Sequence, residues 1–273
     1  MSVTVTFNPN LESGILSSQL EELKKCCTFC LIVDNNSYNV KDIEKLVTPM
    51  NGVRLIRLDS NYGIAKALNI GFDFCLANRK GDWIVTMDQD SLILPNTLEN
   101  VECEIKNFKD DNRIAAFGLN FRDMHFSKYK YANDLPTPIK VNFLITSGCF
   151  LRVSVAQKYK FSEGLFMYNV DTDICHRLIL DNFELLLLSK ARMEHKGGMR
   201  TMNSKGKVSH VNEPQRFFYM GRNSITMLKK YNDIDSVIYP VYLLFENIVS
   251  NYKIVSSLVN FIKGIWNGLK LNT

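Results

Sequence analysis

The sequence predicts an α/β fold with a mostly parallel sheet flanked by helices and a helical extension at the C-terminal end. Three observations carry this expectation. In the first half, short apolar runs alternate with segments of helical period, the mark of a parallel sheet. Four of those runs end in Asp- or Asn-rich turns, which lines up Asn8, Asp34, Asn61, Asp88 and Asp90 along one rim. From Pro214 onward three helical patterns follow one another without a strand pattern between them.

Taken in order, Val3–Phe7 is a β-branched run that stops at Asn8-Pro9-Asn10. Leu11–Lys25 carries Leu11, Ile15, Leu16, Leu20 and Leu23 on one side of a helix. Thr28–Val33 reads as a second strand ending in Asp34-Asn35-Asn36-Ser37, and a short helix follows near Asp42–Val47. Val53–Leu58 is the third strand and Ile64–Asn78 the next helix. Trp83–Met87 is greasy enough for a strand buried on both faces, and it ends abruptly in Asp88-Gln89-Asp90-Ser91. Pro95 suits the first turn of a helix reaching about Lys109, and Ile114–Phe117 is a further strand. Asn120–Ile139 lacks periodicity and reads as an irregular excursion or hairpin. Val141–Thr146 is expected as a strand, Val170–Asn182 as a helix and Glu184–Leu188 as a strand. A Gly- and Lys-rich loop should follow Lys196, then helices at Pro214–Tyr231, Val237–Asn251 and Ile254–Leu269.

The bulk numbers narrow the function classes. A chain of 273 residues with 46% hydrophobic and 22% charged residues has the composition of an ordinary globular protein. The seven cysteines show no paired metal spacing and read as reduced thiols. The N-terminus has no signal-peptide pattern and no stretch is apolar enough to span a membrane, so a cytoplasmic protein is expected. Charge is uneven. From Lys190 onward thirteen Lys and Arg face five Asp and Glu, or +8; the total of +5 leaves −3 for the first 189 residues. The basic third suggests phosphates or anionic lipid as neighbours, not nucleic acid. No Gly-x-Gly-x-x-Gly or Walker-type loop follows the first strand, which removes the main support for dinucleotide or P-loop binding.

The chemistry-bearing residues gather at the rim. In open α/β sheets ligands sit beyond the carboxyl ends of the strands. Asp88 and Asp90, on alternate residues, can both reach one cation while Gln89 points elsewhere. Two hard oxygen ligands on a short turn suit Mg²⁺ or Mn²⁺ with substrate phosphates. Taken alone, Asp34 reads as a turn initiator, and Lys66 equally fits a plain surface lysine.

Five elements in this order resemble the family 2 glycosyltransferases of the GT-A fold, and in particular the rhamnosyltransferase-type enzymes of bacterial surface polysaccharide assembly. They are Val5-Thr6-Phe7-Asn8-Pro9 with Ile32-Val33-Asp34-Asn35-Asn36-Ser37; Asn61-x-Gly63-x-Ala65-x-Ala67-x-Asn69-x-Gly71; Met87-Asp88-Gln89-Asp90-Ser91; Val170-Asp171-Thr172-Asp173 with Arg177; and Pro214-x-Arg216-x-x-Tyr219-x-x-Arg222-Asn223. The resemblance implies a nucleotide-diphospho-sugar transferase (Rossmann-like) domain over residues 1–212. Residues 1–118 would bind the nucleotide sugar, 119–212 would form the acceptor and catalytic half, and 213–273 the helical extension.

It also implies roles. Thr6, Phe7, Asn8 and Asp34 would hold the nucleobase and ribose. Asn61, Lys66, Gln89 and Lys196 would face the nucleotide and its phosphates, with Lys196 and Arg200 closing over the diphosphate. Asp90 would be the direct metal ligand, Asp88 would lie nearer the donor's ribose and sugar, and His195 would complete the shell around Mn²⁺ or Mg²⁺. Asp171 would be the general base of an inverting transfer. Asp173 and Arg177, spaced to pair along a helix, would orient the acceptor together with Arg216. The family motif usually has an acid where this chain has Val170.

The implied donor is dTDP-rhamnose, with a UDP-hexose as the alternative, and the acceptor is a saccharide or lipid-linked saccharide. A sugar-nucleotide nucleotidyltransferase and an inactive membrane-associated scaffold are the competing classes. In 253–270 the apolar residues Ile254, Val255, Leu258, Val259, Ile262, Ile265, Trp266 and Leu269 form a stripe beside Lys253, Lys263 and Lys270. It suits a peripheral membrane contact, packing on its own domain, or a homodimer.

Overall fold

In the computed structural model, residues 1–78, 81–124, 129–132, 135–195, 199–202 and 208–271 are described, with backbone alone for 199–202 and 208–210. The chain forms two compact units, Met1–Glu163 with Ile174–Lys196, and Gly164–Asp173 with Gly197–Thr273.

The first unit is built on one mixed sheet. Its strands are β1 (Ser2–Thr6), β2 (Cys30–Asp34), β3 (Val53–Arg57), β4 (Trp83–Asp88), β5 (Ser91–Ile93), β6 (Ile114–Asp123), β7 (Ile139–Val141), β8 (Cys149–Arg152) and β9 (Glu184–His195). They lie in the order β3-β2-β1-β4-β8-β6-β9-β5, with β7 alongside β9. The expected parallel character holds for β3, β2, β1 and β4. Beyond β4 the pairing turns antiparallel at β8, and only β6 and β9 run parallel again. In register, Thr6 faces Asp34, Asp34 faces Arg57, and Val5 faces Asp88, so four strands end at one edge. β1 and β2 are buried throughout, which explains their unbroken apolar and Thr/Ser composition.

The helices of this unit are α1 (Ile15–Cys26), α2 (Val40–Val47), α3 (Ile64–Ala77), α4 (Thr97–Lys106) and α5 (Val153–Lys158). α1 presents Leu16, Leu20 and Leu23 to a core that includes Ile32, Val85, Met87 and Phe117. Gly14 is left-handed at φ 69°, so Leu11–Ser13 forms a separate 3₁₀ turn where one continuous helix was expected. α4 starts two residues after Pro95, because Asn96 adopts φ 62° at its N-cap.

The second half departs furthest from the sequence expectation. Val141–Thr146 is not a strand; the pairing segments there are β7, which ends at Val141, and β8, which begins at Cys149. β6 and β9 run to 10 and 12 residues, well past the apolar cores from which they were read. Their polar ends pair with each other, Asn120 to Asp123 against Arg192 to His195. Backbone pairing extends a strand where the side chains give no periodic signal.

α6 (Val170–Leu180) belongs to the second unit as far as Asp173. That unit also holds a hairpin of β10 (Met199–Met202) and β11 (Val208–Val211) where a loop was expected. Its three long helices are α7 (Pro214–Tyr231), α8 (Asp235–Val249) and α9 (Ile254–Lys270). α7 and α9 approach closely through glycines. A Cβ on Gly264 would sit 2.1 Å from the Phe218 carbonyl oxygen, and one on Gly221 would sit 2.5 Å from that of Phe261.

Candidate active site

The rim of the first unit is assembled by buried amides and hydroxyls. Asp34, 1% exposed, accepts from the Thr6 hydroxyl at 2.9 Å and from the Ser37 hydroxyl at 2.5 Å on Oδ1. Its Oδ2 accepts the Ser37 N–H at 2.9 Å. Asp34 is therefore a turn initiator, the reading its local sequence favours. Three of a carboxylate's roughly four acceptor positions are filled, leaving one on Oδ2. Thr6 serves to orient Asp34. Asn8, at φ 49°, donates its N–H to Ser37 Oγ at 2.7 Å and accepts the Tyr38 N–H at 3.0 Å.

Gln89 does point away from its two neighbours. Its amide forms a reciprocal pair with the Phe7 backbone, Phe7 N to Oε1 at 2.7 Å and Nε2 to Phe7 O at 3.1 Å. It thus pins the end of β1 to the turn after β4 and leaves the Phe7 ring 43% exposed. Asn61 is likewise committed. Its Oδ1 accepts from Asn35 Nδ2 at 2.8 Å and from the Gly63 N–H at 3.0 Å, which ties the turns after β2 and β3 together. Lys66 places its ammonium 4.2 Å from the centroid of the Tyr62 ring.

At the end of β4, Asp88, Asp90 and His195 offer ligand atoms that all lie within 4.8 Å of one another. The sequence places the two acids on one turn; the tertiary fold supplies the imidazole. β5 turns back and pairs with β9 in antiparallel register, setting Ser91 against His195. The His195 Nδ1 then lies 2.8 Å from Ser91 Oγ and 3.7 Å from Asp90 Oδ1. Ser91 Oγ is 2.7 Å from Ser147 Oγ, which in turn accepts the Asp88 N–H at 3.1 Å. Nδ1 thus lies between a hydroxyl and the Asp90 carboxylate, and the hydroxyl helps to fix the angle of the ring, as partners of metal-binding histidines do. Two carboxylates and an imidazole are a donor set that fits Mn²⁺ or Mg²⁺.

Gln19 holds this turn from the inside. Wholly buried, it donates from Nε2 to the carbonyls of Asp88 at 2.8 Å and Ser91 at 2.7 Å, and accepts from the Thr4 hydroxyl at 3.2 Å. Sequence reading gave no role of their own to Gln19, Asn35, Ser91 and Ser147. Gln19 alone carried a signal, as an amide among Leu16, Leu20 and Leu23 on the apolar face of α1. Lys196 lies outside the described residues, as does the side chain of Arg200.

In the second unit, Asp171 stands in the first turn of α6 and accepts the Thr172 N–H at 3.0 Å. Burial pushes its pKa up to about 6. The segment before it is strained, with Phe166, Tyr168 and Asn169 all near φ +60°. Helix α7 holds this segment in place. Asn223 Nδ2 donates to the carbonyls of Leu165, Met167 and Tyr168 at 2.9, 2.6 and 2.8 Å. Arg222 donates to those of Gly164 and Leu165 at 2.7 Å, and the Tyr219 ring stacks on Phe166. Tyr219, Arg222 and Asn223, three residues of the late Pro214–Asn223 signature, thereby shape the approach to Asp171.

Asp173 is fully buried and accepts from the Tyr231 hydroxyl at 2.8 Å, with Lys230 Nζ at 3.7 Å. Arg216 reaches Asn212 Oδ1 at 3.4 Å and lies over the Tyr168 ring. Arg177, in the first unit, donates to the Lys160 carbonyl at 2.7 Å.

Residues 28–160 match the profile described as "Glycosyl transferase family 2". The chain is 27% identical over 241 residues to "dTDP-rhamnosyl transferase RfbF" of Shigella flexneri, covering 84% of this chain and 79% of that protein. Among solved structures, it is similar to S. aureus TarS 1–349 in complex with UDP-GlcNAc (TM-score 0.58, 15% identity, 97% of this chain and 80% of that one). It is also similar to GalNAc-T7 with UDP, GalNAc and Mn²⁺ (TM-score 0.58, 12% identity, 93% and 57%). At those identities the two structures speak for the GT-A fold alone.

Proposed function

The chain is a family 2 glycosyltransferase, rhamnosyltransferase-like in sequence, and on that premise we propose a metal-dependent inverting transfer of rhamnose from dTDP-rhamnose to a saccharide or lipid-linked saccharide in bacterial surface polysaccharide assembly. The observation that carries this reading is the cluster of Asp88, Asp90 and His195 at the end of β4. A divalent cation bound there would supply positive charge to the departing nucleoside diphosphate. Asp90 and His195 serve as its ligands, and Asp88 faces the ribose and sugar.

The remaining acceptor position on Asp34 suits a pyrimidine N–H, and the exposed Phe7 ring offers the base an apolar face. Asn8, Asn61, Gln89 and Thr6 act by holding this rim in shape, and Lys66 brings a cation to it. Asp171 takes the proton from the acceptor hydroxyl. A carboxylate titrating near 6 is still ionised at neutral pH, yet is a stronger base than an ordinary aspartate. Asp173, Arg177 and Arg216 keep orienting roles, Asp173 by joining α6 to Tyr231 of α7. We also propose a peripheral membrane contact through residues 253–270, on the cytoplasmic face.

A UDP-hexose donor is the second reading, because the N–H that Asp34 would accept is common to thymine and uracil. A thermal-shift panel of dTDP-rhamnose and UDP-hexoses with and without Mn²⁺, followed by transfer assays, tests both. Stabilisation by dTDP-rhamnose that depends on Mn²⁺ is the expected result. Failure of every pyrimidine sugar nucleotide to stabilise the protein would sink the function proposed here.

A further inference from the structure

Two consecutive helices of the second unit carry apolar side chains on their outer as well as their inner faces. The buried side of α9 is Ser257, Phe261, Gly264 and Gly268, and that of α8 is Ser236, Pro240, Leu243, Leu244 and Asn247. Other large apolar side chains of the same helices face outward. On α8, Ile238, Tyr242 and Phe245 are 58%, 50% and 57% exposed; on α9, Val255, Ile262 and Trp266 are 75%, 63% and 63% exposed. Ile234, Val241, Val249, Val259 and Leu269 extend the two stripes at helical spacing. On each helix the exposed apolar residues form a continuous stripe, and such stripes mark interaction surfaces where scattered single residues do not. Glycines at the contact with α7 and large apolar residues on the outer face are features of helices that meet lipid.

The charges say which occupant fits. The cations lie on α9, which contains Lys263 and Lys270 and no carboxylate, whereas α8 contains Asp235 and Glu246 and no cation; Lys270 lies 5.1 Å from the Trp266 ring centroid. A second copy docked with α9 against α9 about a two-fold axis would bring like charges together. Anionic headgroups are complementary to them. Tyr239 and Tyr242, with rings 6.5 Å apart, have the amphipathic character of residues at a headgroup boundary. Among the described residues no helix is long and apolar enough to cross a membrane, so the contact is one of lying on the surface.

We propose that the outer faces of α8 and α9 form one docking surface for a lipid bilayer bearing anionic headgroups, with α8 inserting its apolar face and α9 adding the lysines. This deepens the contact proposed above for 253–270 and stands independently of the donor sugar.

The test uses the full chain with vesicles of phosphatidylcholine alone or mixed with phosphatidylglycerol. Co-sedimentation should be strong with the mixed vesicles. The double variant Ile238→Glu/Phe245→Glu should bind at least about tenfold more weakly, the loss of one or more buried apolar side chains from the interface. Lys263→Glu/Lys270→Glu should lose the preference for phosphatidylglycerol. Trp266 emission should shift to the blue on adding mixed vesicles, and that shift should be absent in Trp266→Phe. The residues changed in the double variant are exposed, so its thermal melt and its activity on a water-soluble acceptor should match the parent, which separates this test from that of the transfer reaction. Wild-type protein that ignores mixed vesicles, or an Ile238→Glu/Phe245→Glu variant that binds like wild type, overturns the proposal. So does a wild-type dimer that the double variant converts to monomer while neither binds vesicles.

Discussion

Replacing Asp171 by Asn should stabilise the protein at neutral pH while abolishing transfer. Burial raises the Asp171 pKa from 3.8 to about 6. At roughly 1.4 kcal/mol per pH unit, holding this carboxylate ionised in the fold costs about 3 kcal/mol. The direction follows from which state ionises first. As pH rises from about 4 to 6 the unfolded chain loses its proton before the native one, so native stability falls across that window and levels off above it. Asparagine has no proton to lose, and its Oδ1 can still accept the Thr172 N–H. The gain of Asp171→Asn over wild type should therefore be about 1 kcal/mol near pH 4.5 and approach about 3 kcal/mol above pH 7. Denaturant unfolding of both proteins across that range gives the difference directly, and subtraction removes every other titrating group. In the same variant, dTDP-rhamnose binding should persist and turnover should vanish, while wild-type kcat should rise through about pH 6. A stability difference that is flat with pH, or a variant less stable than wild type at pH 7, would refute the reasoning. Loss of donor binding would make Asp171 a ligand rather than a base.

Three further substitutions probe the supports. Gln19→Leu strips partners from two buried carbonyls and the Thr4 hydroxyl; it should cost about 2–4 kcal/mol by denaturant unfolding and weaken Mn²⁺ binding measured by calorimetry. Ser91→Ala frees the His195 ring and should lower Mn²⁺ affinity about 10–100-fold with little change in fold, as loss of a hydrogen bond to a ligating histidine does; unchanged affinity would remove His195 from the ligand set. Gly264→Ala drives a Cβ into the Phe218 carbonyl and should lower stability by about 1–3 kcal/mol, read as a drop in Tm.

Much of the first unit was legible because its signals are local. β1, β2 and β4 are buried on both faces, so their apolar runs end where the strands end, and Asp34, Asp88 and Asp90 follow directly. The parallel order of β3-β2-β1-β4 then sets those ends along one edge. β8 was misplaced because Val141–Thr146 is as apolar as a strand, whereas the segment that pairs is Cys149–Arg152. The choice between them depends on the partners β4 and β6, which the local sequence does not contain.

By itself the sequence determined where helices and buried strands arise, and which acids stand at strand ends, because hydrophobic periodicity and turn chemistry act over a few residues. Tertiary structure decided the rest. It brought His195 from 104 residues away onto Ser91, turned Gln89 onto Phe7, gave Gln19 the carbonyls of Asp88 and Ser91, and set Asn223 beneath the strained segment before Asp171. These are hydrogen bonds made where chain segments distant in sequence meet, and a buried polar group's partner is known only once the fold has brought it there.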